Sequence, residues 1–140
     1  MVLGEKLFEE SGNVTGIKIT RVHPIEGLTM EASFTSEISG IGRFPSGKNL
    51  GSGTMNQYPH GVVDASWQGS LMIAEDNFPF IWWSHEKGKV ADGGKIKGLF
   101  TVTGFTKSPK LSWMNNLIIA IELVYDPSSQ KFNGTAYEWK

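Results

Sequence analysis

The sequence predicts an all-β protein, an eight-stranded antiparallel up-and-down barrel with little or no helix. Eight segments with strand-like patterns follow one another, and most are separated by connections of hairpin length. Five tryptophans and eight phenylalanines favour strands, and seventeen glycines mark turns, bulges and tight bends. Consecutive strands joined by short turns are typical of a closed barrel, and a two-sheet sandwich is the structural alternative.

The chain has 140 residues, so residues 1–140 are predicted to form a single barrel domain. The first part, residues 1–12, shows no clear periodicity and fits a flexible arm, a helical turn or an edge strand. Eight strands enclose an interior just wide enough for packed side chains or one small ligand.

The first two predicted strands show the period of two that is typical of half-buried strands. The first alternates in polarity and ends where Pro24 and Gly27 turn the chain. The second places Met30, Ala32 and Phe34 on one face, opposite glutamate and hydroxyl side chains. The third runs back along the second after a hairpin loop. The eight predicted strands are, in chain order, Val14–Val22, Leu28–Phe44, Leu50–Tyr58, Val62–Ile73, Phe78–Lys87, Lys95–Phe105, Leu117–Tyr125 and Lys131–Trp139.

Two pairs of glycines, Gly40 with Gly42 and Gly51 with Gly53, lie in the second and third strands. No helix is predicted after either pair, so they are not a dinucleotide-binding fingerprint. We expect them to form bulges or bends in paired strands.

The fourth strand has the clearest alternation, with Val63, Ala65 and Trp67 on one face. Trp67 is therefore a candidate for the wall of an interior pocket. The fifth strand is the stretch FPFIWWSHEK, and the sixth is followed by a long irregular connection, residues 106–116. The seventh strand is apolar on both faces, as expected for a strand covered on both sides, and the eighth ends the barrel.

Strand geometry places alternate side chains of FPFIWWSHEK on opposite faces. Phe80, Trp82 and Glu86 point one way, whereas Trp83 and His85 point the other. We predict that Phe80, Trp82 and Glu86 face the interior, with Glu86 near the barrel mouth as a proton acceptor or polar anchor. The opposite register is one alternative. In another, one tryptophan is core, the other lies at a subunit interface, and the polar residues are solvated.

Three further residues are candidates for ligand binding: Trp113, Asn116 and Glu122. Glu122 interrupts an apolar run, where a carboxylate is costly unless it is paired or protonated, and a raised pKa would suit an acid or base. Trp113 and Asn116 end the long connection, which fits a lid or binding loop. Alternatively, Glu122 points outward and pairs with a lysine, and Trp113 plugs the barrel end.

The composition excludes several classes of function. Thirteen basic and fourteen acidic side chains give a net charge of −1, which indicates neither nucleic acid nor an anionic membrane as a partner. There is no cysteine, and His23, His60 and His85 lack the spacing of a metal site, so we expect no metal and no cofactor. The sequence shows no secretory signal and no apolar run of roughly 18–20 residues, so a soluble cytoplasmic protein is expected.

Three runs carry a resemblance to a known type of barrel: ASFTSEISGIGRF at residues 32–44, GSGTM at 51–55 and WQGSL at 67–71. Over residues 28–139 the order of strands and glycines resembles the calycin-like, allene-oxide-cyclase-like barrels. It resembles more closely the small uncharacterised bacterial domains that share that barrel. The resemblance implies an eight-stranded antiparallel barrel, often oligomeric, with a ligand cavity at one mouth. The catalytic residues of the cyclases are not matched position by position, so no catalytic role is carried over.

These observations favour a barrel that binds one small hydrophobic molecule inside, with aromatic walls and a few polar anchors. The first alternative is an isomerase or cyclase-type enzyme on the same barrel, which would hold its substrate in one conformation. The second is an oligomeric interaction scaffold with a filled core. A homo-oligomer is expected, since outward-facing aromatic residues suit a subunit interface.

Overall fold

The structure of the chain, a computed structural model, describes residues 3–140. Its strands are β1 Leu3–His23, β2 Gly27–Gly40, β3 Gly47–Gln57, β4 Val62–Ile73, β5 Phe80–Val90, β6 Ile96–Thr106, β7 Ile119–Asp126 and β8 Lys131–Trp139. Each strand pairs antiparallel with the next, and β8 pairs back with β1, so the predicted closed barrel is confirmed. Two short 3-10 segments, Asp92–Gly94 and Ser112–Asn116, supply the helical residues of the described chain. Within residues 3–140 no helix has the length and apolarity needed to cross a bilayer.

Strand β1 is longer than predicted, because it begins at Leu3. Its first half pairs with β8 and closes the barrel, so residues 3–12 belong to a barrel strand and not to an arm. Residues 1 and 2 lie outside the described part. Irregular pairing around Lys6 leaves the neighbouring side chains of Leu7 and Phe8 both buried. This bulging removes the period of two, which is why the sequence pattern does not reveal the strand.

Several strand boundaries differ from the prediction by a few residues, and two of the differences have a clear cause. β2 ends at Gly40, and Phe44 lies in the following loop, where its ring packs 4.9 Å from that of Phe8. Because Phe44 is apolar and buried although it lies in a loop, the sequence pattern does not distinguish it from a residue of β2. β5 extends beyond Lys87 to Val90, because Gly88, Lys89 and Val90 stay paired with β6.

The two ends of the barrel differ. The loops after β2, β4 and β6 lie at one end, and the shorter turns after β1, β3, β5 and β7 lie at the other. Met114 is fully buried at the first end and packs in the same core cluster as Phe44 and Leu117. Trp113 packs edge-on against Phe44 at 6.3 Å, and the guanidinium of Arg43 lies 3.9 Å from the Trp113 ring centroid. We call this the closed end, and the opposite end the mouth.

Of the four glycines predicted to form bulges or bends in paired strands, one forms a bend, and it lies in a loop. Gly42 has φ of 63° in the loop after β2, as a bend requires. Gly51 and Gly53 form no bulge, because β3 pairs in continuous register with both neighbours. A Cβ at Gly53 would lie 2.6 Å from the Trp67 ring and 2.2 Å from the carbonyl oxygen of Ser66. Gly53 therefore makes room for an interior aromatic side chain.

Candidate functional site

The barrel encloses a cavity of about 220 Å³ that extends from the closed end to Gln57 and Pro127 at the mouth. Most of its wall is apolar. Its aromatic members are Phe8, Phe34, Phe44, Trp67, Phe80, Trp82, Phe100, Tyr125 and Phe132. An apolar enclosure with a few polar groups is the usual form of a small-molecule pocket.

Strand β5 supplies one wall of the cavity, and the predicted orientation of its side chains is correct. Trp82 and Glu86 are only 6% and 4% exposed and line the cavity. Trp83 is 53% exposed on the outer face, where the side chain of His85 lies near that of Asp64. Along β5, from Phe80 to Gly88, buried and exposed residues alternate, as follows from the two-residue period of a strand.

Glu86 is buried but has one hydrogen-bond donor. The indole Nε1 of Trp67 donates to Glu86 Oε1 at 3.0 Å. Burial raises the pKa of Glu86 to about 7, the Trp67 hydrogen bond opposes the rise, and the charge of Asp64 adds to it. A carboxyl group of this kind can accept or donate a proton at neutral pH.

A second buried carboxyl group, Glu10, also lines the cavity and was missed by the sequence analysis. Ser36 Oγ donates a hydrogen bond to Glu10 Oε2 at 2.6 Å, and Asn49 Nδ2 donates to the same atom at 3.4 Å. Asn49 Oδ1 in turn accepts from Trp82 Nε1 at 2.7 Å. Burial raises the pKa of Glu10, while the Ser36 and Asn49 hydrogen bonds lower it. The signal that could have revealed Glu10 is its alternation with Phe8 and Gly12 in the bulged first strand.

Ser84 lies on β5 between Trp82 and Glu86 and faces the same cavity. Its Oγ is the one buried side-chain nitrogen or oxygen atom of residues 3–140 that has no hydrogen-bond partner. Buried hydroxyl groups are nearly always paired, so an unpaired one that faces a cavity is suited to a ligand. Ser84 carried no special signal in the sequence, because serine alternates with aromatic residues on many strands.

Of the seven predicted ligand-binding residues, four meet around the cavity: Trp67, Phe80, Trp82 and Glu86. The placement of Glu122 is wrong, because its side chain is exposed on the outer face of β7. Both faces of β7 are apolar, since Ile121 faces the cavity while Val124 lies outside, so the sequence could not tell which face is interior.

The two predicted residues of the long connection also lie away from the cavity wall. Trp113 is part of the packing at the closed end, beside Phe44 and Arg43, as the plug alternative expected. Asn116 is exposed at the end of the 3-10 segment. The 3-10 segment buries Met114 at the closed end of the barrel. None of its residues lines the cavity, so it does not act as a binding loop there.

The three histidines occupy separate places. His23 Nδ1 accepts hydrogen bonds from the backbone of its own turn, His60 stacks on Tyr58, and His85 faces Asp64. Within residues 3–140 no three histidine, aspartate or glutamate side chains form a group that could hold a metal ion. The polar groups that line the cavity are the carboxyl groups of Glu10 and Glu86, the amides of Asn49 and Gln57, and the hydroxyl groups of Ser84 and Tyr125.

Neither a protein-family model nor a curated protein matches the sequence. Solved structures match its fold over almost the whole chain. A protein with unknown function from Clostridium acetobutylicum ATCC 824 is 19% identical, with a TM-score of 0.83 and 100% of both chains covered. A beta-barrel like protein from Acinetobacter baumannii AYE is 16% identical, with a TM-score of 0.80 and 99% and 96% covered. A conserved protein of unknown function from Rhodopseudomonas palustris is 10% identical, with a TM-score of 0.79 and 99% and 98% covered.

An enzyme from Penicillium herquei has a similar fold as well. It is 15% identical, with a TM-score of 0.63, and the comparison covers 99% of this chain and 97% of that chain. At identities this low the four structures show the barrel fold alone, and function has to be argued from the cavity.

Proposed function

We propose that this barrel binds one small, mainly apolar molecule in its interior. The observation that carries the proposal is the open cavity of about 220 Å³, with aromatic walls and the unpaired hydroxyl of Ser84. The predicted pocket residues Trp67, Phe80, Trp82 and Glu86 all contribute to its wall. Desolvation of an apolar ligand against such walls is the source of affinity.

The cavity volume limits the size of the ligand. An engineered apolar cavity of about 150 Å³ in another protein holds benzene. A cavity of about 220 Å³ is therefore suited to a ligand of roughly ten non-hydrogen atoms. Naphthalene has this size and no polar group, so it probes the cavity without testing any anchor.

The test is the melting temperature of the protein at increasing naphthalene concentration. A ligand that binds only the folded state raises the melting temperature as its concentration exceeds the Kd. Ala32 is buried and lines the cavity, so the larger side chain of the control variant Ala32→Phe should occupy cavity volume. The naphthalene shift should then disappear. An equal shift in both proteins, or no shift in the wild type, would count against interior binding.

A second candidate function is an isomerase or cyclase-type enzyme on the same barrel. It is favoured by Glu86, a cavity carboxyl group with a pKa of about 7, which suits a general acid or base. The resemblance to allene-oxide-cyclase-like barrels and the fungal enzyme of similar fold agree with it. Wild type and Glu86→Gln would be incubated with styrene oxide, and its isomerisation to phenylacetaldehyde, in which one C–O bond of the ring breaks and a hydrogen moves between the two carbons, would be followed by proton NMR. Turnover that Glu86→Gln abolishes supports this candidate, and equal background rates in both oppose it.

The remaining expectations concern assembly and location. The cavity argues against a scaffold with a filled core. It is compatible with a homo-oligomer that also binds a ligand. Ile81 and Phe105 are directly paired neighbours on the outer face, and the exposed Trp83 is the next outward residue on β5. We propose that a second copy of the chain covers this face, and that the protein works in the cytoplasm.

A further inference from the structure

We infer that the ligand is not an anion and that its polar group donates a hydrogen bond in the region of Ser84 and Glu86. This inference names the class of ligand for the cavity, so it rests on the proposed function. Its three grounds are the charges of the cavity wall, the position of Ser84, and the free oxygen of Glu86.

The cavity wall carries acidic groups and no basic ones. Glu10 and Glu86 line it, and no lysine, arginine or histidine among residues 3–140 does so. An anionic ligand such as a fatty acid would be desolvated next to two carboxyl groups without a counter-ion. Above about pH 7 the Glu86 carboxyl group is ionised, and in the poorly solvated interior it would repel a ligand carboxylate strongly. The wall therefore selects against carboxylates.

The polar anchors lie together on one wall. Ser84 and Glu86 are two residues apart on the inward face of β5, so their Cα atoms are about 7 Å apart. Ser84 Oγ has no partner in the described chain. A ligand that lies along this wall has both side chains beside it, while the rest of the ligand stays against the aromatic walls.

Glu86 can accept a further hydrogen bond. Trp67 Nε1 donates to Oε1, and no donor within the described residues is bonded to Oε2, which lies over Gly98. An alcohol can donate to this carboxyl group and accept from the Ser84 hydroxyl. A protonated amine can donate to both side chains. The shared chemistry is a hydrogen-bond donor on an apolar body, and experiment separates the two sources.

The test compares 1-octanol, octylammonium and octanoate, which share one apolar chain and differ in the polar group. Their Kd values are measured by calorimetry at about pH 8, where octanoate is ionised and the amine is protonated. We expect 1-octanol or octylammonium to bind at least about tenfold more tightly than octanoate. Tighter binding of the alcohol identifies a neutral ligand, and tighter binding of the amine identifies a cationic one.

Octanoate that binds within about threefold of the better of the other two would overturn the inference, although the cavity would still be a binding site. Binding of naphthalene without binding of 1-octanol or octylammonium would overturn it as well. Failure of all four probes would instead remove the proposed function, and the inference with it.

Three variants locate the anchor. Ser84→Ala removes the unpaired hydroxyl, so 1-octanol should bind roughly threefold to tenfold more weakly. Ser66→Ala is the matched control, because Ser66 is exposed on the outer face of the neighbouring strand, and its Kd should equal that of the wild type.

Glu86→Gln removes one negative charge, so octanoate should gain affinity relative to 1-octanol. An unchanged Kd in Ser84→Ala together with an unchanged octanoate ratio in Glu86→Gln would overturn the assignment of this wall.

Discussion

Trp67 and Glu86 are joined across neighbouring strands by a hydrogen bond of 3.0 Å from the indole Nε1 to the carboxyl Oε1. The bond fixes the direction of a carboxyl group that burial would otherwise leave without a partner. Ser84 lies opposite Trp67 in the strand pair and adjoins Glu86 on the same face. Trp67 therefore holds the Glu86 carboxyl group in place on the wall that also carries Ser84.

The ionisation of Glu86 should make the stability of the protein depend on pH. Burial raises its pKa from 4.5 to about 7 in the folded state, so the folded protein binds the proton more tightly than the unfolded chain. Stability from this group is fully present below about pH 4.5 and is lost as the pH rises to about 7. The loss amounts to about 3 kcal/mol. Glu86→Gln should therefore be more stable than the wild type at about pH 8, by roughly 1–3 kcal/mol.

This prediction is checked by urea unfolding at a series of pH values. Glu86→Gln should show a shallower fall of unfolding free energy with pH, with a remaining slope from Glu10, whose pKa burial also raises. Glu122→Gln is the matched control on the exposed outer face and should follow the wild type. Parallel curves for wild type and Glu86→Gln would show that Glu86 is not buried as described.

Asn49 links Trp82 to Glu10, so its removal should be costly. Asn49→Ala leaves the buried Trp82 Nε1 without its acceptor at 2.7 Å and removes one donor to Glu10. Unpaired buried polar groups cost about 1–3 kcal/mol, and we expect a loss of this size in urea unfolding. Asn133→Ala changes an exposed residue of β8 and should shift stability by less than about 0.5 kcal/mol. Equal effects of the two substitutions would contradict the buried network.

Gly53 should not tolerate a side chain. In Gly53→Ala the new Cβ would meet the Trp67 ring and the Ser66 backbone, so we expect a loss of about 1–3 kcal/mol or more. The displaced Trp67 should also show altered fluorescence. Gly16→Ala is the control, because its Cβ would meet only the movable hydroxyl of Ser33 at 3.1 Å. A harmless Gly53→Ala would mean that the ring does not lie over this glycine.

The outer face of β5 and β6 should mediate self-association. Light scattering of the wild type should give a multiple of the chain mass of 15.4 kDa, because Ile81, Trp83 and Phe105 form an exposed apolar group. Trp83→Ser should reduce this mass to that of a monomer. Val22→Ser, a change at an exposed residue far along β1, should leave it unchanged. A monomeric wild type would contradict the prediction.

The sequence predicts the barrel and one wall of its cavity because both depend on the period of two. In β5 alternate side chains point to opposite faces, so the face of Trp82 also determines the face of Glu86. Glu10 was missed because only its short alternation with Phe8 and Gly12, just after the irregular pairing around Lys6, marks its face, and its partners come from β2 and β3. Glu122 was misplaced because β7 is apolar on both faces, so the two-residue period does not show which face of the strand points into the barrel.

The central claim is that a small apolar molecule binds inside the barrel and not on its outer aromatic face. The most direct test is the set of NOEs between naphthalene protons and assigned aromatic side chains of the protein. Interior binding predicts NOEs to Trp82 and Phe34, which line the cavity, and none to Trp83 on the outer face. NOEs to Trp83 alone, or none to the interior rings at a saturating concentration, would contradict the claim.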